Sequence, residues 1–296
     1  MAELPIPLSV LIPAKNEARN LPRCLAALKG WAGEVVVVDS QSADKTVEIA
    51  ESFGARVVQF QYRGGWPKKR QWALDTLPWR YDWVLLLDAD EIPTEPLKQE
   101  IAAAIAKPEQ DGCYIRLEMV FLGRQLRFGD TALWKLCLIR VGRGRFEKRL
   151  EAQEQSMGDM EVHEHVLVDG RTARLGCAMR HENLNSLDRY IQKHNEYSNW
   201  EAKVWLQGTA SGLPASLTGT QAQRRRWLKQ KLLMLPGSPM LFFLYKYVLR
   251  LGFLDGRAGL VHAVFNGIQF FHVKAKMYET RSVEEARDGG SGGSKA

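Results

Sequence analysis

The sequence predicts an α/β protein built on a mostly parallel sheet, and the order of its apolar segments carries that prediction. In the first third of the 296-residue chain, four short apolar runs, at 8–12, 34–39, 56–59 and 83–87, alternate with segments of helical period. The run at 83–87 is five consecutive apolar residues, which is typical of a strand buried on both faces. Strands that alternate with helices form βαβ units, whose strands lie parallel.

Past Pro108 the pattern becomes richer in β-structure and less regular. Segments 112–121, 133–141 and 162–168 are predicted strands, and helices are predicted at 186–206 and from about residue 220. The predicted divisions are therefore 1–110, 111–185 and a helical segment at 186–280. Residues 281–296 are predicted to be a disordered tail, whose Gly/Ser-rich end resembles a flexible linker remnant.

Composition favours a cytoplasmic protein with a phosphate-rich partner. The four cysteines are scattered without a C-x-x-C pair, and the N-terminus does not resemble a signal peptide. The net charge is +7, yet residues 222–278 alone hold ten Lys and Arg against one acid, Asp255. Such asymmetry indicates a membrane surface or nucleic acid. We favour the membrane, because no nucleic-acid-binding motif accompanies the charge.

Asp88 and Asp90 follow the strand at 83–87, at the edge where open α/β sheets bind ligands. Residues two apart in a strand point to opposite faces, so both carboxylates can face one ion only if the chain turns at Asp88. Carboxylates suit Mg²⁺ or Mn²⁺, which take their remaining ligands from water and substrate phosphates. The alternative is a solvated acidic turn.

Other polar residues near strand ends are further candidates, each with a plain structural alternative. Asp39 ends the second strand and can accept the imide N–H of uracil, or it can cap a turn. Glu17 can bind ribose or cap a helix. Arg70, at the start of a helix where cations oppose the helix dipole, is a candidate for a diphosphate, whereas Lys68 is expected to be solvated.

A second cluster lies at Glu161–His165. Alternation along a strand places Glu164 with Val162 and Val166, an apolar setting that would suit a general base. The alternative is an exposed strand. His181 would complete the metal shell, or it is an ordinary loop histidine.

Together, the segments Ile-Pro-Ala-Lys-Asn-Glu (12–17), Val-Asp-Ser-Gln-Ser-Ala-Asp-Lys-Thr (38–46) and Leu-Asp-Ala-Asp-Glu (87–91) resemble the signature of glycosyltransferase family 2 on a GT-A fold. Within the family the chain is most similar to bacterial lipopolysaccharide-core glucosyltransferases of the WaaE/KdtX type. Gln41 and Ala43 depart from the usual Gly and Thr, and Lys69-Arg70-Gln71 departs from Gln-Arg-Asn.

The resemblance implies a nucleotide-sugar donor, an Mg²⁺ or Mn²⁺ cofactor and inversion at the anomeric carbon. We expect the nucleotide of the donor to be UDP. It makes 1–110 the nucleotide-sugar half and 111–185 the acceptor half with the base. The roles it implies are nucleotide binding for Pro13, Ala14, Glu17, Asp39, Arg70 and Asp88, metal binding for Asp90 and His181, and general base for Glu164.

The C-terminal segment combines basic residues with apolar runs at 240–254 and 258–273, each shorter than the roughly 20 residues of a spanning helix. This pattern favours helices lying on an anionic membrane, with a packed subdomain or a dimer surface as the alternative. We therefore expect an enzyme on the inner face of the cell membrane that adds a hexose to a lipid-linked or saccharide acceptor. A sugar-phosphate nucleotidyltransferase and a non-catalytic membrane scaffold are the competing hypotheses.

Overall fold

The structure is a computed structural model that describes residues 5–107, 109–150, 159, 164–207 and 213–290, with side chains described as far as residue 283. The predictions for Glu161, Val162 and His163 and for residues 291–296 lie outside these ranges.

The first half of the chain alternates strands and helices as predicted. Its elements are β1 (Ile6–Ala14), α1 (Leu21–Leu28), β2 (Ala32–Asp39), α2 (Thr46–Ser52), β3 (Arg56–Gln59), α3 (Lys69–Thr76), β4 (Trp83–Leu86), β5 (Glu91–Pro93) and α4 (Glu95–Ile105). The second half is richer in strands: β6 (Gly112–Phe121), β7 (Arg124–Gln125), β8 (Leu133–Arg140), β9 (Gly144–Phe146), β10 (Val166–Val168) and β11 (Thr172–Glu182). The helices α5 (Leu187–Gln207), α6 (Gln221–Met234), α7 (Ser238–Leu244) and α8 (Gly256–Gly290) follow.

The main sheet has the order β3-β2-β1-β4-β8-β6-β11-β5, with β7 beside β6. Strands β3, β2, β1 and β4 run parallel, and β6 and β11 form a further parallel pair. Strand β8 is antiparallel to both β4 and β6, so it joins the two halves into one sheet. The α/β class with a GT-A-like arrangement is thus confirmed.

The parallel half brings the ends of its strands to one edge. The central strands are fully buried, as their apolar runs require, and Ala14 pairs in register with Asp39. Leu87 N donates to Leu11 O, so Asp88 follows β4 at the same edge. The chain then turns, because Glu91 N donates to Asp88 O before β5 begins. The turn that the Asp88 and Asp90 spacing required is therefore present.

Three sequence expectations are wrong. His181 lies in strand β11 and pairs with Glu91, so it is not a loop residue. Strand β11 escaped prediction because Gly176 and an irregularity between Arg174 and Ala178 interrupt its alternation. Within the described part of the predicted strand at 162–168, Glu164 and His165 are not in a strand and only β10 is. Residues 281–290, expected to be disordered, continue α8.

A buried ion pair fastens the C-terminal helices to the sheet. Arg226 of α6 donates to Glu147 after β9 at 2.5 Å, and neither side chain is more than 9% exposed. Glu147 also accepts from the backbone of His165 and Leu213. Removing one member of such a pair costs about 3–5 kcal/mol. Among the described residues, no helix has both the length and the apolar character needed to cross a bilayer.

Candidate functional site

Asp39 is fully buried at the end of β2, and its carboxylate organises the loop that follows. It accepts hydrogen bonds from Ser42 N at 2.9 Å, Ser42 Oγ at 2.5 Å and Gln59 Nε2 at 3.1 Å. The turn-capping alternative is therefore confirmed for Asp39. Its predicted contact with a nucleoside stays a prediction.

The end of β1 places three more predicted residues beside Asp39. Pro13 and Ala14 are buried, and the carbonyl oxygen of Ala14 accepts a hydrogen bond from Lys69 Nζ at 2.8 Å. Glu17 accepts from Asn20 Nδ2 at 2.7 Å and pairs with Lys193 of α5 at 3.3 Å. Lys69 thus brings a buried positive charge to this edge, which the sequence reasoning did not assign.

Two cationic side chains compensate the negative charge of the acidic turn after β4. Asp88 pairs with Arg70 of α3 and, at 3.0 Å, with Lys135 of β8. Lys135 Nζ also lies 2.8 and 2.7 Å from the two oxygens of Glu91. Burial alone would raise the pKa of Asp88, but the charges of Arg70 and Lys135 outweigh it and hold that pKa far below its usual range. Asp88 is therefore ionised and its charge is compensated by Arg70 and Lys135, and Lys135 also pairs with Glu91.

Asp90 and His181 remain outside that compensated pair. Asp90 Oδ2 accepts from Asn183 Nδ2 at 3.1 Å, while Asp90 Oδ1 lies 3.6 Å from His181 Nδ1. Burial lowers the pKa of His181, yet the charges of Asp90 and Glu91 outweigh burial and raise it to about 9. His181 Nδ1 is buried and has no hydrogen-bond partner among the described residues.

This pair of atoms fits a divalent cation that takes most of its ligands from a substrate. Mg²⁺ is commonly held by one or two protein groups together with substrate phosphates and water. Asp90 Oδ1 supplies a hard oxygen, and the unpartnered His181 Nδ1 faces it. Within the described residues, no group of three or more His, Cys, Asp and Glu side chains is arranged to hold a metal ion. The donor set thus fits a shared, substrate-completed site.

Glu164 is buried and held by one oxygen. Its Oε1 accepts from Lys68 Nζ at 3.0 Å, and both side chains are fully excluded from solvent. Its Oε2 is buried without a hydrogen-bond partner in the described structure. The expectation that Lys68 is solvated is wrong, because the glutamate and the ring of Trp200, 5.2 Å from Nζ, enclose its ammonium group. Glu164 is buried, but the apolar setting expected for it is wrong, because its carboxylate pairs with the buried ammonium group of Lys68.

One cavity of about 670 Å³ joins part of the predicted site. Arg70, Asp88, Glu164 and His181 line it, together with the unpredicted Lys135. Pro13, Ala14, Glu17, Asp39 and Asp90 do not line it; they belong to the neighbouring strand edge and to the turn after β4. The cavity therefore brings the predicted base and diphosphate ligand together, but not the predicted nucleoside contacts.

Most of the site residues that the sequence did not predict are lysines. Lys135 stands in a strand with no motif around it, and its partners Asp88 and Glu91 lie more than forty residues earlier. Lys68 and Lys69 carried a signal, because adjacent cations open a helix against its dipole. That signal was assigned to Arg70 alone.

Replacing Lys135 by Met should lower the free energy of unfolding by about 3 kcal/mol, because Asp88 and Glu91 lose their shared ammonium group. Chemical denaturation would measure the loss, and the double variant Lys135→Met/Glu91→Gln should recover part of it. Arg116→Met, which removes a half-exposed pair with Glu118, is the control and should cost less than about 1 kcal/mol. Equal losses in Lys135→Met and Arg116→Met would contradict this assignment.

Comparison with known proteins gives the family. The Glycosyl transferase family 2 model matches residues 9–166. An uncharacterized glycosyltransferase from Rickettsia bellii is 32% identical over 66% of this chain, and this chain spans 66% of its length. The lipopolysaccharide core biosynthesis glycosyltransferase LpsC from Rhizobium meliloti is 26% identical over 94% of each chain. The crystal structure of S. aureus TarS 1-349 in complex with UDP-GlcNAc is 18% identical, covers 93% of this chain and 91% of its own, and has a TM-score of 0.43. The chain belongs to glycosyl transferase family 2.

Proposed function

We propose that the protein is an inverting, metal-dependent glycosyltransferase that moves a hexose from a UDP-sugar to a lipid-linked or saccharide acceptor. The observation that carries the proposal is the single cavity lined by Glu164, whose Oε2 has no described partner, and by Arg70, Asp88 and His181. Displacement of a diphosphate by a hydroxyl requires a base and a cationic group in one cavity. LpsC, the relative that matches over nearly the whole chain, supports a saccharide acceptor of the lipopolysaccharide type.

The donor's diphosphate would bind between the start of α3 and the turn after β4. Lys69 and Arg70 stand in the first turn of α3, where the helix dipole favours anions. Asp90 and His181 would hold the Mg²⁺ or Mn²⁺ ion, which, when bound, supplies positive charge to the departing diphosphate. Pro13, Ala14, Glu17 and Asp39, at the adjacent strand edge, would contact the nucleoside.

Glu164 would act as the base. Its Oε1 is fixed by Lys68, so Oε2 is the atom that accepts the proton of the acceptor hydroxyl. The Lys68 ammonium holds the carboxylate in place, and the exclusion of water strengthens each electrostatic contact. Attack from the base side, with the diphosphate leaving on the other, inverts the anomeric carbon.

Glu164→Gln should lower transfer by a factor of about 10²–10⁴, the usual contribution of a general base, because the amide cannot take the proton. The assay would screen UDP-hexoses with Mn²⁺ and simple saccharide acceptors, while calorimetry measures UDP affinity. We expect UDP to bind the variant and the wild type equally. Full transfer by Glu164→Gln would refute the role of Glu164, and UDP that binds neither protein would refute the proposed donor. A scaffold without activity would turn over no donor at all.

We further propose that the protein works on the inner face of the cell membrane. Most of the exposed large apolar side chains lie between residues 234 and 278, and we call them the apolar C-terminal face: Met234, Leu235, Met240, Leu241, Leu244, Val248, Leu249, Leu251, Phe253, Leu254, Leu260, Val264, Ile268, Phe271 and Tyr278. On α8, residues 260, 264, 268 and 271 form one stripe with helical spacing.

Charge favours an anionic bilayer as the occupant of this face. Lys231, Arg250 and Arg257 are exposed around it. The one acid between residues 222 and 278, Asp255, is buried and accepts from the backbone of Arg127 and Phe128. Apolar side chains flanked by cations are what interfacial helices present to anionic lipid.

The protein should therefore sediment with vesicles that contain anionic lipid, and less so in high salt, because screening weakens the attraction. The double variant Leu249→Ser/Phe253→Ser should bind vesicles at least several-fold more weakly. Leu122→Ser, which changes an exposed leucine outside this face, is the matched control. Absence of vesicle binding at low salt, with sedimentation velocity showing a dimer instead, would assign the face to a second copy of the chain.

A further inference from the structure

The protein interior beside Glu164 is unusually rich in charged side chains. Three buried glutamates lie close together there, and each has its own cation. Glu164 pairs with Lys68 at 3.0 Å and Glu147 with Arg226 at 2.5 Å. Glu201 pairs with Lys229. Within each of these three pairs the cation neutralises the carboxylate. Any additional buried cation in this region therefore adds an excess positive charge.

Arg149 is that additional cation. It follows β9, two residues after Glu147, and is only 8% exposed. Its guanidinium carbon lies 5.2 Å from the centre of the Trp200 ring, the same ring that Lys68 contacts. Its buried Nε has no hydrogen-bond partner, and no described oxygen accepts from its guanidinium group. Burial lowers the pKa of Arg149, although arginine stays protonated in proteins.

A buried, unpaired guanidinium group is costly to the fold. Its Nε–H loses water without gaining an acceptor, and one aromatic contact returns only about 0.5–2 kcal/mol. Buried charges in proteins are normally paired, so an exception calls for an explanation such as a ligand that completes it. The planar fork of arginine matches the two oxygens of a phosphate or a carboxylate.

Arg149 does not itself line the cavity, but it follows the strand that ends at Phe146, which does. The chain around it runs beside the segment that carries the base, because Glu147 N donates to His165 O at 2.9 Å and His165 N donates to Glu147 Oε1 at 3.0 Å. Phe146, at the end of the same strand, and Glu164 both line the cavity. Lys69 and Arg70, the cations that suit the donor's diphosphate, lie away from Arg149: Lys69 contacts Ala14 and Arg70 contacts Asp88.

We propose that Arg149 binds an anionic group, a phosphate or a carboxylate, carried by the acceptor next to the hydroxyl that Glu164 deprotonates. The inference rests on the proposed function in one respect only: a group beside the base meets the acceptor and not the nucleotide. The acceptor is accordingly an acidic saccharide or a phosphorylated one. A neutral sugar would leave the guanidinium group unpaired.

Inorganic phosphate is the probe, and thermal unfolding at constant ionic strength is the measurement. Phosphate should raise the Tm of the wild-type protein above that in chloride, and Arg149→Met should reduce this difference, leaving only the part due to the donor's diphosphate site. In phosphate-free buffer, Arg149→Met should melt no lower than the wild type, because the substitution removes an uncompensated buried charge. Arg226→Met, which breaks the pair with Glu147, is the matched control and should melt well below the wild type. Arg149→Lys should bind phosphate at least several-fold more weakly than the wild type, since it keeps the charge but loses the fork.

Calorimetric titration with UDP separates the two possible sources of the anion. We expect Arg149→Met to bind UDP as the wild type does. A ten-fold loss of UDP affinity would assign Arg149 to the donor's diphosphate and overturn the acceptor proposal. Equal stabilisation of wild type and Arg149→Met by phosphate, or a Tm for Arg149→Met as low as that of Arg226→Met, would also overturn it. UDP that fails to bind the wild type would refute the proposed donor without touching the phosphate result.

Discussion

The acidic turn after β4 is the constraint on which the rest of this site depends. Asp88, Asp90 and Glu91 lie within four residues at the end of a buried strand, where like charges repel strongly. Cations from two other elements, Arg70 of α3 and Lys135 of β8, compensate this negative charge. The antiparallel insertion of β8 beside β4 is what brings Lys135 within reach. A purely parallel sheet would have placed a different strand there.

Some buried polar groups of the site have ionic or hydrogen-bond partners in the described structure, and others do not. Asp88 and Glu91 are neutralised by fixed side chains, whereas His181 Nδ1, Glu164 Oε2 and Arg149 Nε are buried without described hydrogen-bond partners. Unsatisfied buried polar groups lower stability, so proteins retain few of them outside functional sites. Here the three lie near a single cavity, and each has the chemistry of a different part of a transfer reaction: a cation ligand, a base and an anion receptor.

Local patterns in the sequence were enough for much of the fold. The strands β3 and β6 begin and end where the sequence pattern predicts, and the chain turns after Asp88, which the spacing of the two carboxylates would require if both faced one ion. Strand β11 was missed because Gly176 interrupts it, and His181 with it. For the site, Lys135 and Arg149 could not be predicted, since their importance comes from partners distant in the chain or from the lack of one. Lys68 was assigned to solvent because nothing in the sequence reveals that Glu164 and Trp200 enclose it.

The central claim is that fixed cations neutralise Asp88 and Glu91 and leave Asp90 and His181 to an exchangeable ion. Anomalous diffraction from crystals grown with Mn²⁺ and UDP tests it most directly. The account predicts a manganese peak in contact with Asp90 and His181, with Lys135 still bound to Asp88 and Glu91. A peak between Asp88 and Glu91 with Lys135 displaced, or one without contact to Asp90, would contradict it.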